Sequence, residues 1–386
     1  MLRQKKQLRI AMIGYKFMGK AHSHAYRDLP FYFDSGMQPV LQVLCGRDIQ
    51  AVQAAAEKWG WKETETDWRR VVARDDIDVI DIVSPNHTHV EIVLAAAKAG
   101  KHIICEKPLA MDVGEAERML EAVRQAGVKH MICFNYRFVP VVSFIKSMID
   151  RGELGEIYHI RAHFLQDWIM DPQFPLVWRL RKELSGSGAL GDLMAHSIDL
   201  ARFLVGDLME VSAHLETFIK ERPLGEMSGG LSAAVAGEEM GTVDVDDAAM
   251  MMARFESGCL GVFEASRFAK GNRCGNRLEI NGSKASVRWD MEHMNQLQLY
   301  LEADPEGYQG FREIHCTEAV HPYAGHYWPA GHSIGYEHTF INMMHAFVEA
   351  VSGESAPSPG FEDGLACQKV IEAAEASATE RRWTRV

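Results

Sequence analysis

Leu8-Arg9-Ile10-Ala11-Met12-Ile13-Gly14-Tyr15-Lys16-Phe17-Met18-Gly19 is the stretch on which the fold turns. A short apolar run enters a glycine turn, and the turn leads directly into residues of helical pattern. That order opens a nucleotide-binding βαβ unit. Gly14 and Gly19 hold the outer positions of a G-x-G-x-x-G turn, while Lys16 stands where the middle glycine is usual. Gly14 permits the tight turn, and Gly19 lets the helix pack on the sheet. The helix start at Lys16-Phe17-Met18 offers N–H groups and a positive dipole to a pyrophosphate. A lysine at 16 either neutralises phosphate charge or fills part of the space. Taken alone, the turn also fits an ordinary strand-to-helix connection, so its surroundings decide.

Outward from this turn, apolar runs alternate with amphipathic stretches. Strands are expected at residues 8–13, 40–45, 79–83, 102–105 and 131–134, and helices at 18–29, 49–59, 67–73, 88–99 and 113–126. Continuous apolar strands separated by helices form a parallel sheet covered on both faces. Such a doubly wound sheet gathers ligands beyond the carboxyl ends of its strands. After residue 138 the rhythm changes. A helix at 140–151 leads into an alternating strand at 157–166, and two long strands at 248–256 and 258–268 meet at Ser257-Gly258. Further strands are expected at 277–280, 285–289 and 296–301, with Asn281-Gly282 as a turn, and closing helices at 335–351 and 362–381. The fold class is therefore α/β: a doubly wound parallel-sheet domain over 1–138, then an α+β domain with a mainly antiparallel sheet over 139–386. In the 157–166 strand His159, Arg161 and His163 alternate with Ile160, Ala162 and Phe164, so one sheet face is partly polar and is either solvated or a subunit interface. Residues 221–241, rich in Gly, Ser, Ala and Glu, read as a mobile loop insertion.

At 386 residues, and about 150 residues per domain, the length agrees with two domains. Lys+Arg 41 against Asp+Glu 53 gives a net charge of −12, which argues against nucleic acid or an anionic membrane as partner and leaves room for a local basic pocket. The basic start Met1-Leu2-Arg3-Gln4-Lys5-Lys6 precedes an apolar run too short for a signal-peptide core. No later stretch is long enough to span a bilayer, so a soluble cytoplasmic protein is expected. Seven widely spaced cysteines without C-x-x-C fit a reducing compartment and no zinc knuckle. His321, His326 and His332 lack metal-ligand spacing, and no metal is expected.

The second strand ends Leu44-Cys45-Gly46-Arg47-Asp48. An acidic residue at this strand end grips a ribose 2′-hydroxyl and repels a 2′-phosphate. Gly46 and Arg47 stand there instead, which tilts the reading from NAD toward NADP with Arg47 as phosphate partner. Asp48 pulls the other way, and Arg47 also fits a solvated side chain or a stack on adenine. Ser84-Pro85-Asn86-His87-Thr88-His89 and Glu106-Lys107-Pro108 follow the next two strands and so lie at the cofactor edge. A lysine at a strand end beside a proline that can hold a cis bond is fixed in direction and open to tuning by its neighbours; Lys-Pro is also a common surface turn. In the second domain Ser185-Gly186-Ser187-Gly188 introduces a helix on which Asp192, His196 and Asp199 share one face. A carboxylate beside an imidazole suits general acid/base work, the imidazole taking a hydroxyl proton while the carboxylate orients the substrate. The same pair also occurs as a surface salt bridge or structural contact.

Together the glycine turn, Pro85-Asn86-x-x-His89, Glu106-Lys107-Pro108 and Gly188-Ala189-Leu190-Gly191-Asp192-x-x-x-His196 resemble, in this order and over nearly the whole chain, the Gfo/Idh/MocA family of NAD(P)-dependent oxidoreductases. The resemblance implies a Rossmann domain followed by an open-faced α/β domain, homodimers or homotetramers through that sheet, and hydride transfer to or from a sugar-like alcohol. It implies Lys107, Asp192 and His196 as the catalytic set. It places Asn86, His89 and Glu106 by the nicotinamide end, with Ser84 and Pro85 also at the cofactor and Trp178-Arg179 reaching cofactor or substrate. Lys16 and Gly46 depart from the family pattern and leave NAD against NADP open.

Phe17-Met18-Gly19-Lys20-Ala21-His22-Ser23, Gln166-Asp167-Trp168 and Val243-Asp244-Val245-Asp246-Asp247 are similar to the branch of that family that oxidises the 3-hydroxyl of an anhydro-pyranose, with pyranosides and inositols as alternatives. On this reading His196 removes the hydroxyl proton, Lys107 stabilises the developing oxyanion and Asp192 binds a neighbouring hydroxyl. Tyr136-Arg137, Asp167-Trp168 and His321-Pro322-Tyr323-Ala324-Gly325-His326-Tyr327-Trp328 are candidates for the sugar pocket, because pyranose C–H faces pack on aromatic rings. The last segment equally fits a packed irregular loop. Two other classes share these motifs: a glycosidase that retains NAD and works by transient oxidation, and a non-catalytic dinucleotide sensor, against which the retained Lys107, Asp192 and His196 argue.

Overall fold

Strands Lys6–Ile13 (β1), Met37–Cys45 (β2), Glu63–Glu65 (β3), Val79–Ile82 (β4), His102–Cys105 (β5) and His130–Ile132 (β6) alternate with helices Phe17–Tyr32 (α1), Ile49–Trp59 (α2), Trp68–Val72 (α3), His89–Lys98 (α4) and Val113–Ala126 (α5). All the strands pair in parallel, in the order β3-β2-β1-β4-β5-β6. Every residue of β4 is buried, as a strand covered on both faces requires. The order reverses between β1 and β4, which makes the crevice at their carboxyl ends the natural ligand site. The three polar residues of edge strand β3 carry no apolar run and escaped the sequence reading.

This computed structural model describes residues 5–229 and 233–386. They divide into two units, Met1–Asn135 with Tyr336–Gln368, and Tyr136–Gly335 with Lys369–Val386. The first unit thus takes in a segment that a single boundary at residue 138 leaves out. Its helix Tyr336–Ser352 packs along α1, with Phe340 5.5 Å from the His22 ring and His345 stacked 4.1 Å from Phe33. Nothing local in the sequence marks so distant a pairing.

In the second unit helix Pro140–Asp150 (α6) and strand Ile157–Leu165 (β7) precede the short helix Lys182–Ser185 (α7), helix Ala195–Leu204 (α8), and strands Leu208–Glu216 (β8), Glu221–Gly229 (β9), Ala233–Thr242 (β10), Ala248–Phe255 (β11), Leu260–Ser266 (β12), Gly275–Gly282 (β13), Ala285–Asp290 (β14), Gln296–Leu301 (β15), Arg312–His315 (β16) and Thr384–Arg385 (β17). Nine of these strands form one sheet, β16-β15-β14-β13-β7-β12-β11-β8-β17, antiparallel except where β12 runs alongside β7. Ile160, Ala162, Met251, Phe263 and Ile280 bury one face. The other carries Arg161 with Met250, Met252, Leu260 and Val262, each of the four more than half exposed.

The expected loop at 221–241 is instead an antiparallel ribbon of β9 and β10; residues 230–232 of that segment lie outside the described residues. Its anchor is Arg222, a fully buried guanidinium that donates to the carbonyls of Ile169 (2.6 Å), Asp171 (2.8 Å) and Phe174 (3.1 Å). Ile169, Phe174, Leu176, Val177, Leu180, Val243 and Val245 form a small core beside it. Glycine- and serine-rich composition concealed the ribbon because its pairing is made by backbone rather than by an apolar face. No helix among the described residues is long and apolar enough to cross a membrane.

Candidate active site

The cofactor edge of the first unit is built by close backbone approach. Gly14 has φ 117°, and a Cβ there would lie 2.7 Å from the Val83 carbonyl oxygen. A Cβ at Gly19 would lie 2.7 Å from the Gly14 carbonyl oxygen. Glycine is required at both positions. Lys16 precedes the first residue of α1, no side chain caps that end, and no acidic residue sits in its first turn. A positively charged, uncapped helix start of this kind fits a pyrophosphate. Phe17 and Lys16 are exposed beside it and Met18 is half-buried.

At the end of β2 the departures explain each other. A Cβ at Gly46 would lie 2.1 Å from the Tyr15 ring, so the ring occupies the space that an acidic side chain would need. Asp48 is turned to local work: its carboxylate caps α2, accepting from the N–H groups of Gln50 (3.0 Å) and Ala51 (3.1 Å). Arg47 is exposed.

Ser84 and Thr88 share a hydroxyl contact of 2.6 Å, and Thr88 also donates to the Pro85 carbonyl, which winds the short turn Asn86–Thr88 onto α4. Asn86 is buried in that turn. His89 is fully buried, with ring nitrogens 3.2 and 3.0 Å from the carbonyls of Leu109 and Ser84. Burial holds its pKa down, and the neutral ring has one N–H to donate to one of these two carbonyls.

Beneath the Glu106-Lys107-Pro108 segment lies a group that sequence reasoning missed. His22, on α1, places Nδ1 3.0 Å from Asp81 and Nε2 3.2 Å from Glu106, all three side chains buried. Burial pushes the imidazole's pKa down, yet Asp81 and Glu106 outweigh it and raise it to about 10. The ring is therefore an imidazolium between two carboxylates at neutral pH. Cys133 brings its sulfur within 4.8 Å of His22 and Glu106, a metal-like grouping, but both imidazole nitrogens already face carboxylates and burial drives the thiol pKa well up. The other oxygen of Glu106 accepts the N–H of Lys107 (3.1 Å), and the Lys107–Pro108 bond is cis. Lys107 is half-buried. The signal in the sequence was an aspartate inside the apolar strand β4, since a buried carboxylate demands a partner.

In the second unit the start of the Asp192 helix is held by Asp246. Its carboxylate accepts the N–H groups of Gly188 and Leu190, both at 2.8 Å, and its carbonyl accepts that of Ala189 at 3.0 Å. Burial pushes the Asp246 carboxyl up, against the pull of the Leu190 N–H, Arg267 and the Gly188 N–H. A Cβ at Gly188 would sit 1.8 Å from the Asp246 carbonyl oxygen, so the glycine is obligatory. The expected regular helix begins as a π-helical turn, Leu190–Met194, before becoming α8. Asp192 accepts from Arg267 (2.8 Å), and Asp199 is buried in an ion pair with Arg137 (2.6 Å). His196 is buried with its ring 4.7 Å from Tyr136 at 75° and 5.8 Å from Phe164. Arg137, predicted for the sugar pocket, thus braces Asp199 from within the unit.

Asp167 is fixed by Arg273 (3.0 Å) and the Gly271 N–H (3.0 Å), and the Trp168 indole donates to Gln166 (2.9 Å) and meets Phe174 edge-on at 5.3 Å. Arg179 lies over the ring of Trp178, 4.4 Å from its centroid. In the 321–328 segment buried His321 accepts the Glu318 N–H (3.2 Å) and meets Phe144 edge-on at 4.9 Å, while Tyr323 adopts φ 64°.

Comparison with known proteins agrees with this geometry. Residues 8–134 match the family model described as "Oxidoreductase family, NAD-binding Rossmann fold", and residues 142–288 the one described as "GFO/IDH/MocA C-terminal domain". Levoglucosan dehydrogenase of Pseudarthrobacter phenanthrenivorans is 42% identical over 99% of this chain and 98% of its own. Myo-inositol 2-dehydrogenase of Thermotoga maritima is 26% identical over 97% of each chain. Among solved structures, levoglucosan dehydrogenase in complex with NADH and levoglucosan superposes with a TM-score of 0.93 at 40% identity, covering 99% of this chain and 100% of the other. An oxidoreductase domain protein from Kribbella flavida gives 0.93 at 48% identity over 99% of each.

Proposed function

The chain belongs to the Gfo/Idh/MocA oxidoreductase family, and from that premise we propose that it oxidises a ring secondary hydroxyl of a pyranose-type sugar, with the anhydrosugar levoglucosan as leading candidate. It is an NAD-binding oxidoreductase acting on CH–OH groups. The observation that carries the substrate reading is the 42% identity to levoglucosan dehydrogenase over essentially the full chain. When bound, the nicotinamide supplies the hydride acceptor. In the proposed reaction His196 takes the hydroxyl proton and passes it to solvent, while the carbon–oxygen double bond forms as hydride departs. The Lys107 ammonium stabilises charge growing on that oxygen, and Asp192 accepts a hydrogen bond from a neighbouring hydroxyl. Tyr136 forms an apolar wall beside His196, and Asp167 and Trp168 supply a polar and an aromatic contact for the sugar.

The first unit holds the dinucleotide, and the second binds sugar and self-associates. Met250, Met252, Leu260 and Val262 support the latter role: Met252 pairs with Val262 across β11 and β12, and a contiguous apolar stripe on an open sheet face marks an interface. On the ribose side an exposed Arg47, a side-chain-free Gly46 and a capping Asp48 favour admission of a 2′-phosphate alongside NAD. All seven cysteines lack disulfides, which supports a reducing cytoplasm as the site of action.

The test is a screen of NAD+ and NADP+ separately against levoglucosan, glucose, glucosides and inositols, read at the reduced-nicotinamide absorbance. Turnover of a pyranose is expected. Release of sugar from an aryl glycoside without added NAD would replace this reading with the glycosidase, and cofactor binding without turnover of any substrate would replace it with the sensor. A kcat/KM for NADP+ more than about a hundredfold below that for NAD+ would remove Arg47 as a 2′-phosphate partner.

A further inference from the structure

We propose that Arg267 is the positioning residue for Asp192, aiming its carboxylate at the sugar. The inference rests on the reading of Asp192 as a substrate-binding group. Arg267 directly follows β12 and is fully buried. Its Nη2 donates to Asp192 Oδ2 at 2.8 Å and to the Gly188 carbonyl at 3.3 Å, and its backbone N–H donates to the Asp247 carbonyl at 3.0 Å. The guanidinium lies 5.8 Å from the centroid of the Trp168 ring. It also faces the carboxylates of Asp246 and Asp247 and the cation of Arg222, but among the described residues Asp192 is the carboxylate it contacts.

Two physical points separate this from a structural role. The N–H groups of the helix start at 188–190 already donate three hydrogen bonds to Asp246, and a guanidinium, which has only donors, cannot cap them. A buried ion pair is also weak as a source of stability, because desolvating the two charges opposes their attraction, and an apolar side chain of similar volume does as well or better. What the pair supplies is direction. Asp192 is a quarter exposed while its partner is wholly buried, so the carboxylate is pinned from behind and its accessible side is held in one orientation. A carboxylate ordered in advance loses no rotamer freedom when a hydroxyl binds.

The experiment uses the full-length protein with NAD+ and levoglucosan, or whichever sugar of the screen is turned over fastest. R267M, R267K, D192N and R267M/D192N are compared by kcat, sugar KM and NADH affinity. R267M is expected to lower kcat/KM roughly a hundredfold, chiefly through sugar KM, with NADH affinity within about twofold of wild type. R267K restores about tenfold, and the double variant is no worse than D192N alone, since both changes remove one device. An R267M indistinguishable from wild type, or losses in the double variant that multiply, would overturn the proposal. D192N with normal kcat/KM would instead remove Asp192 from the site and end the reading beneath it. Should R267M not fold, R267K carries the same cycle, with about a tenfold loss that D192N absorbs; losses that multiply again overturn it.

Discussion

The imidazolium of His22 makes the fold's stability depend on pH in a defined direction. Its pKa is 6.5 in an unfolded chain and about 10 in the fold, where burial opposes protonation but Asp81 and Glu106 prevail. A group raised in this way contributes fully below pH 6.5 and loses its contribution as pH climbs to about 10. At about 1.4 kcal/mol per pH unit, that window holds on the order of 5 kcal/mol. The perturbation is H22Q, which fills similar space, keeps hydrogen-bonding atoms and cannot titrate. Urea unfolding of both proteins, followed by circular dichroism at pH 6.5, 7.5, 8.5 and 9.5, cancels the titration of every shared tyrosine, cysteine and lysine. The stability gap should be widest at pH 6.5 and narrow by about 1.4 kcal/mol per pH unit. A gap that stays constant across this range would show the ring to be neutral in the fold. D81N provides a second arm: with one carboxylate gone, the pH-dependent stretch should end at lower pH.

Four further outcomes are expected. G188A drives a methyl group to within 1.8 Å of the Asp246 carbonyl oxygen, so it should destabilise the second unit by on the order of 3 kcal/mol and abolish turnover, seen as a lower melting temperature. K107A should abolish turnover while NADH still binds, and H196A should depress kcat and flatten the alkaline-going limb of its pH profile; a near-normal kcat in K107A removes Lys107 from the mechanism. M252E places a charge in the exposed apolar stripe of the sheet and should shift the mass in light scattering toward monomer, whereas an unchanged mass assigns self-association to another surface.

How far the sequence could be read follows from the range of the forces involved. The parallel sheet was legible because each strand of 8–13, 79–83 and 102–105 is an apolar run bounded by helix and turn signals, and both the periodicity and the glycines are local. The Asp192 and His196 positions were legible for the same reason, as spacing on one helix. The π-helical turn was not, and Asp246, which accepts the Leu190 N–H at the helix start, lies more than fifty residues away. Nothing beside Arg137 in the chain shows that it pairs with Asp199, sixty-two residues away. His22, Arg222 and Arg267 were invisible as buried charges, since nothing in a residue's neighbours along the chain says that its counter-charge or carbonyl lies beside it in space. Composition misled at 221–241, where backbone pairing rather than side-chain pattern makes the ribbon.

The central claim is that hydride passes from a ring carbon of a pyranose to a nicotinamide. Levoglucosan deuterated at the carbon bearing its 3-hydroxyl, incubated with NAD+ and the wild-type protein, tests it most directly through mass spectrometry of the reduced cofactor. NADH that carries the deuterium is expected. Reduced cofactor without label would place the reaction at another carbon, and no reduced cofactor from this or any sugar of the screen would contradict the account outright.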